Sequence, residues 1–93
     1  MFGPKKIDCR AGEWIILIHT SFAQMPKSWT VKFQSADGRK VEGTYTESKS
    51  KWIFPGAPTS GPISQTQIFE RGYWNTFYSV MVKTDVDAVA EID

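Results

Sequence analysis

Between Trp29 and Tyr45 the chain alternates its side chains with a period of two on both sides of a short turn-forming stretch. Trp29, Val31 and Phe33 share one parity, with Thr30, Lys32 and Gln34 on the other. Past Ala36-Asp37-Gly38, Val41, Gly43 and Tyr45 share one parity and Lys40, Glu42 and Thr44 the other. A pleated strand sends successive side chains to opposite faces, so this pattern points to half-buried β-structure. A two-residue Asp-Gly loop would set Phe33 against Glu42 and Gln34 against Val41, mixing an apolar face with a polar one. A three-residue loop, Ala36-Asp37-Gly38, instead sets Phe33 against Val41, Trp29 against Tyr45, Lys32 against Glu42 and Thr30 against Thr44. Gly38 then takes the left-handed position that closes the turn. The expectation is a hairpin of residues 29–34 with 39–46.

Composition extends this reading to the whole chain. Leucine, a strong helix former, occurs once, at Leu17, while Ile, Val and Thr number 22 and Phe, Trp and Tyr number 13. β-Branched and aromatic side chains fit the surface of a sheet better than that of a helix. The fold expected is all-β, a small antiparallel sandwich or barrel of about five to seven strands with little or no helix. At 93 residues there is room for one core, so residues 1–93 are read as a single domain with an N-terminal arm, 1–12, and an acidic C-terminal tail, 85–93. One cysteine cannot close a disulfide within the chain.

The remaining segments are read by the same rules. Residues 13–19, Glu-Trp-Ile-Ile-Leu-Ile-His, are apolar on both parities, as in a central strand covered on both faces. Residues 20–28 make a connection with a helical turn starting near Ser21 and stopped by Pro26. After a polar Glu-Ser-Lys-Ser stretch, residues 51–54 give a short strand. Residues 55–62, with three prolines and two glycines, read as an irregular loop. Residues 63–71 and 73–84 read as two strands about Gly72, a hairpin with an aromatic turn. In the tail, Val86, Ala88, Ala90 and Ile92 alternate like an edge strand, while Asp85 is equally suited to cap a helical turn. Both alternatives stand.

The chemical inventory is thin. Cys9 and His19 are the one nucleophile–base pair of their type, and catalysis requires them within hydrogen-bond reach with a third group orienting the imidazole. A single Cys and a single His cannot build a structural zinc site. Asp85, Asp87, Glu91 and Asp93 lack the calcium-loop spacing. There is no phosphate loop, dinucleotide fingerprint or nucleophile elbow. The expectation is a chain that is not an enzyme, with no catalytic residues, no metal and no cofactor.

Binding is the better-supported class. The net charge of +1 gives no general case for a polyanion partner. Between Lys27 and Trp52, however, six basic residues against three acidic ones are interspersed with Trp29, Phe33, Tyr45 and Trp52, a mixture that single-strand binders use. The hairpin register turns most of those aromatics inward and leaves Lys40, Lys49 and Lys51 near Trp52. Trp52, Phe54, Tyr73 and Trp74 flank the Pro/Gly loop and could form a stacking platform. The candidate partner- or ligand-binding residues are therefore Trp52, Phe54, Tyr73, Trp74, Lys40, Lys49 and Lys51.

The function this favours is a non-catalytic protein-protein interaction or assembly module, such as a subunit of an oligomeric or virion-type structure. Self-association is the expected partnership, because large aromatics beyond the needs of a small core dominate binding energy. The alternative is a small β-fold binder of single-stranded nucleic acid, or of carbohydrate, through aromatic stacking. The longest apolar run, Trp14 to Ile18, is too short for a signal sequence or a membrane span. The chain is accordingly expected to have no secretion signal and no membrane partner, and to reside in the cytoplasm or within an assembled particle.

Overall fold

The structure, a computed structural model, describes residues 5–21, 25–51, 54–73 and 77–93. The helical turn expected between Ser21 and Pro26 runs across 22–24, outside the described residues. The described chain forms strands β1 (Lys5–Cys9), β2 (Trp14–Thr20), β3 (Lys27–Ser35), β4 (Gly43–Lys51), β5 (Phe54–Pro55), β6 (Thr59–Pro62), β7 (Thr66–Arg71), β8 (Phe77–Thr84) and β9 (Ala88–Ile92). One sheet has the order β1-β9-β3-β7; the other has the order β2-β8-β4-β5, with β6 also paired to β4. Every pairing is antiparallel. The fold is thus all-β, as the composition requires, with two sheets facing each other as a sandwich. The nine strands exceed the expected five to seven because β5 and β6 are short edge pieces. No helix of the described residues is long and apolar enough to cross a membrane.

The parity read from residues 29–34 holds, but the hairpin does not form. Trp29, Val31 and Phe33 are buried, while β3 pairs with β7 and β9 rather than with β4. Trp29 faces Phe69, Phe33 faces Ala90, and Lys32 faces Thr66 and Glu91. Tyr45 faces Val82, and Thr44 faces Lys83. Residues 36–42 form an arch that carries the chain from one sheet to the other. An arch and a hairpin place the same residues inward, so alternation fixes the buried face without fixing the partner. The Ala36-Asp37-Gly38 turn itself is present, with Gly38 at φ 77° and its N–H donating to the Ser35 carbonyl at 3.4 Å. The Ser35 hydroxyl lies 2.9 Å from the Arg39 carbonyl and 3.0 Å from Asp37 Oδ1, satisfying groups that a ladder would otherwise serve. That hydroxyl is the main reason the Asp37 carboxyl titrates below its ordinary range.

Three other expectations change for related reasons. Strands β7 and β8 also belong to different sheets, so in place of the expected hairpin about Gly72 the chain crosses between sheets there too. Strand β2 is an edge strand, not a covered central one. Its register shifts between Ile16 and Ile18, and this bulge lets Leu17 and Ile18 both turn inward, which explains apolar residues on both parities. Part of the Pro/Gly segment is regular: β6 pairs Thr59–Pro62 with Thr44–Glu47, at an edge where a missing proline N–H costs little. Gly61 sits opposite Tyr45, and a Cβ there would meet the Tyr45 ring at 3.2 Å.

The tail resolves as a strand, and an interior one. β9 lies between β1 and β3, with Lys5 opposite Ile92 and Val31 opposite Ile92 on its other side. The arm and the tail therefore close on each other within one chain. Between the sheets, Trp29 stacks on Tyr78 at 5.5 Å and 5°, and Tyr45 meets Phe69 edge-on at 5.3 Å. Each such pair contributes about 0.5–1.5 kcal/mol beyond the area it buries. Val31, Val80, Val82 and Ala90 fill the centre with no exposed surface.

Candidate functional site

Two of the residues expected to bind a ligand, Tyr73 and Lys49, come together. They line a cleft of about 500 Å³ at one end of the sandwich, with Lys27, Arg71 and Glu70. Lys40 does not join them: it lies in the arch after β3, while the cleft is at the start of β3. Trp52 and Trp74 lie outside the described residues. Lys51 and Phe54 are described as a backbone pair joining β4 to β5.

Strand register builds the cleft. Lys27 begins β3 and Arg71 ends β7, and the two are directly opposite, on the inward parity of Trp29 and Phe69. Lys49 comes from the facing sheet, opposite Tyr78 and on the same inward face. Below them is the Trp29–Tyr78 stack. Lys27 Nζ lies 5.2 Å, and Arg71 Cζ 5.6 Å, from the Trp29 ring centroid. An aromatic face attracts such cations and holds them in place. Arg71 Nη2 donates to the Met25 carbonyl at 3.1 Å, while its Nε is buried without a hydrogen-bond partner among the described residues.

Beneath the cleft is a polar contact inside the core. The fully buried Tyr78 donates its hydroxyl to Glu47 Oε2. Burial first, and then the Glu47 hydrogen bond, push the Tyr78 phenol far above its ordinary range. Glu47 Oε1 also lies 4.0 Å from Lys49 Nζ. The carboxylate is thus engaged on both oxygens.

A second surface was not anticipated from the sequence. On the outer face of the β2–β8–β4 sheet, Trp14 is 45% exposed, Ile16 56% and Phe77 40%. Trp14 and Ile16 stand on edge strand β2, opposite Lys83 and Met81. Lys83 Nζ lies 5.9 Å from the Trp14 ring centroid. The bulge is the signal that was missing: without it the apolar run of β2 reads as covered on both faces.

The catalytic and metal alternatives separate in space. Cys9 is buried on the inner side of the first sheet, and burial raises its thiol pKa. His19 is exposed on the second sheet, opposite Ser79. They do not form a dyad. Asp85 Oδ1 accepts the Glu42 N–H at 3.1 Å, and Asp87 Oδ1 accepts the Ala11 N–H at 2.9 Å, so both carboxylates tie loops to the sandwich. Among the described residues no three His, Cys, Asp or Glu side chains are grouped to hold a metal.

Comparison with family models, with curated proteins and with solved structures returned no match for this chain.

Proposed function

We propose that this chain is a non-catalytic interaction and assembly module that binds a protein partner, a second copy of itself first among them. The observation that carries this reading is the edge strand β2, with Trp14 and Ile16 exposed along it. An open edge offers unpaired backbone groups to another strand, and chains usually guard such edges with charge or proline. β1 carries Lys5, Lys6 and Asp8, and β6 ends in Pro62, whereas β2 has no Asp, Glu, Lys or Arg from Trp14 to Thr20. Exposed Trp and Ile in one row supply the apolar area on which interfaces depend. Exposed Glu13 and His19 flank that row, so an antiparallel two-fold pairing of β2 with β2 of a second copy sets the acid of each near the imidazole of the other. The proposed setting is the cytoplasm or an assembled particle.

Light scattering across a concentration series tests the reading. A mass above the 10.5 kDa of one chain is expected, falling to that value in Ile16→Lys with the fold retained. A monomer at every concentration, in both proteins, would overturn it.

A further inference from the structure

We propose that the cleft where Lys27, Lys49 and Arg71 converge binds a phosphate-bearing ligand, with Tyr73 offering a ring to a planar group of that ligand. The inference goes beyond the assembly reading and uses the end of the sandwich, away from the exposed row on β2.

The charge arrangement is the first ground. Lys27 and Arg71 are directly opposite each other across two strands, and like charges so placed destabilise a sheet. Among the described residues neither has an ion-pair partner; the ion pairs are Arg39 with Asp37 and Lys49 with Glu47. The same sheet shows the ordinary solution elsewhere. On its outer face Glu91 stands opposite both Lys6 and Lys32, so each cation there has a carboxylate across from it. At the cleft the position is reversed: two cations face each other and a third, Lys49, approaches from the second sheet. Glu70 also lines the cleft, but it stands opposite Ser28 and forms no ion pair with either cation among the described residues. A bound dianion relieves the repulsion that the fold leaves in place.

The guanidinium is the second ground. Arg71 is held by the Met25 carbonyl and the Trp29 ring, which fixes the plane of its donors before any ligand arrives. Its Nε is buried without a partner among the described residues, so the donors left to a ligand are those of its terminal nitrogens. Arginine presents two parallel donors in a geometry that matches phosphate oxygens, and two lysines beside it add point charges. A single carboxylate would leave some of these donors unused. Tyr73, 58% exposed at the rim, adds a stacking surface, and about 500 Å³ falls within the size of small-ligand sites.

Phosphate could arrive free, on a mononucleotide or along a single strand. Calorimetric titration of the full chain with inorganic phosphate, adenosine monophosphate and a single-stranded thymidine 12-mer separates the three. At least one is expected to bind, and the nucleotide more tightly than inorganic phosphate if Tyr73 stacks. A 12-mer that binds more tightly than the nucleotide, with affinity falling steeply as salt rises, assigns the source to single-stranded nucleic acid. Arg71→Gln and Lys27→Gln should each weaken binding at least tenfold. Arg71→Lys, which keeps the charge but loses the fork, should weaken it less than Arg71→Gln. Lys40→Gln, at the other end of the sandwich, should leave binding unchanged. Thermal melts check that each variant folds. No binding by any of the three ligands overturns the proposal, as does equal binding by folded Arg71→Gln. A glutamate-rich peptide binding as tightly as the best phosphate ligand would also overturn it.

Discussion

Gly43 shows how one residue can be fixed by its neighbours. A Cβ at this position would lie 2.1 Å from the Lys83 carbonyl oxygen and 2.9 Å from Thr84 Cα, and neither backbone atom can give way as a side chain would. Gly43→Ala should therefore destabilise the fold by about 3 kcal/mol or more, read as a lower urea midpoint. Tyr78 makes a pH prediction at the same scale. Its folded pKa is raised above the unfolded value near 10, so the unfolded chain loses the phenolic proton first. The contribution to stability is then fully present below pH 10 and declines as the pH rises further. Urea unfolding at pH 9 and pH 11 should show this decline, and it should be smaller in Tyr78→Phe. At neutral pH the same substitution removes the donor to Glu47 and should cost about 1–3 kcal/mol.

At the scale of elements, the inward residues of β3 were legible and its partners were not. Trp29, Val31 and Phe33 announce their face through a period of two. Whether residue 41 returns beside residue 33 or crosses to another sheet leaves that period unchanged. Partners far apart in sequence, such as Lys27 and Arg71, leave no local trace, which is why two of the three cations of the cleft were not among the expected site residues. Lys49 and Tyr73 were, Lys49 through the basic patch near Trp52 and Tyr73 through its place beside the Pro/Gly segment. The β2 bulge likewise depends on strand β8 across from it. The tail gives the clearest test of an element's weight. Removing residues 88–93 strips Ala88, Ala90 and Ile92 from the core and leaves β1 and β3 without the strand between them. The truncated chain should lose its cooperative unfolding transition in circular dichroism. Removing residues 1–9 takes edge strand β1, with Cys9 from the core and Ile7 packed against it, and a cooperative transition at a lower midpoint is expected.

The whole molecule is two antiparallel sheets between which the chain crosses repeatedly, at 36–42 and after Gly72 among other places, and its two surfaces of interest use different residues. The β2 row faces outward from one sheet, while the cationic cleft opens between the sheets at one end. The two proposals rest on different residues and are tested by different measurements. The pairing of β1 with β9 has a mechanical consequence as well. Because Lys5 lies opposite Ile92 and the strands run antiparallel, a force pulling those two residues away from each other acts across the ladder at its open end. The hydrogen bonds then break in succession, like a zipper, instead of sharing the load in shear. Tension applied at these points would peel the first strand away at low force, while the β3–β9 pair behind it stays closed.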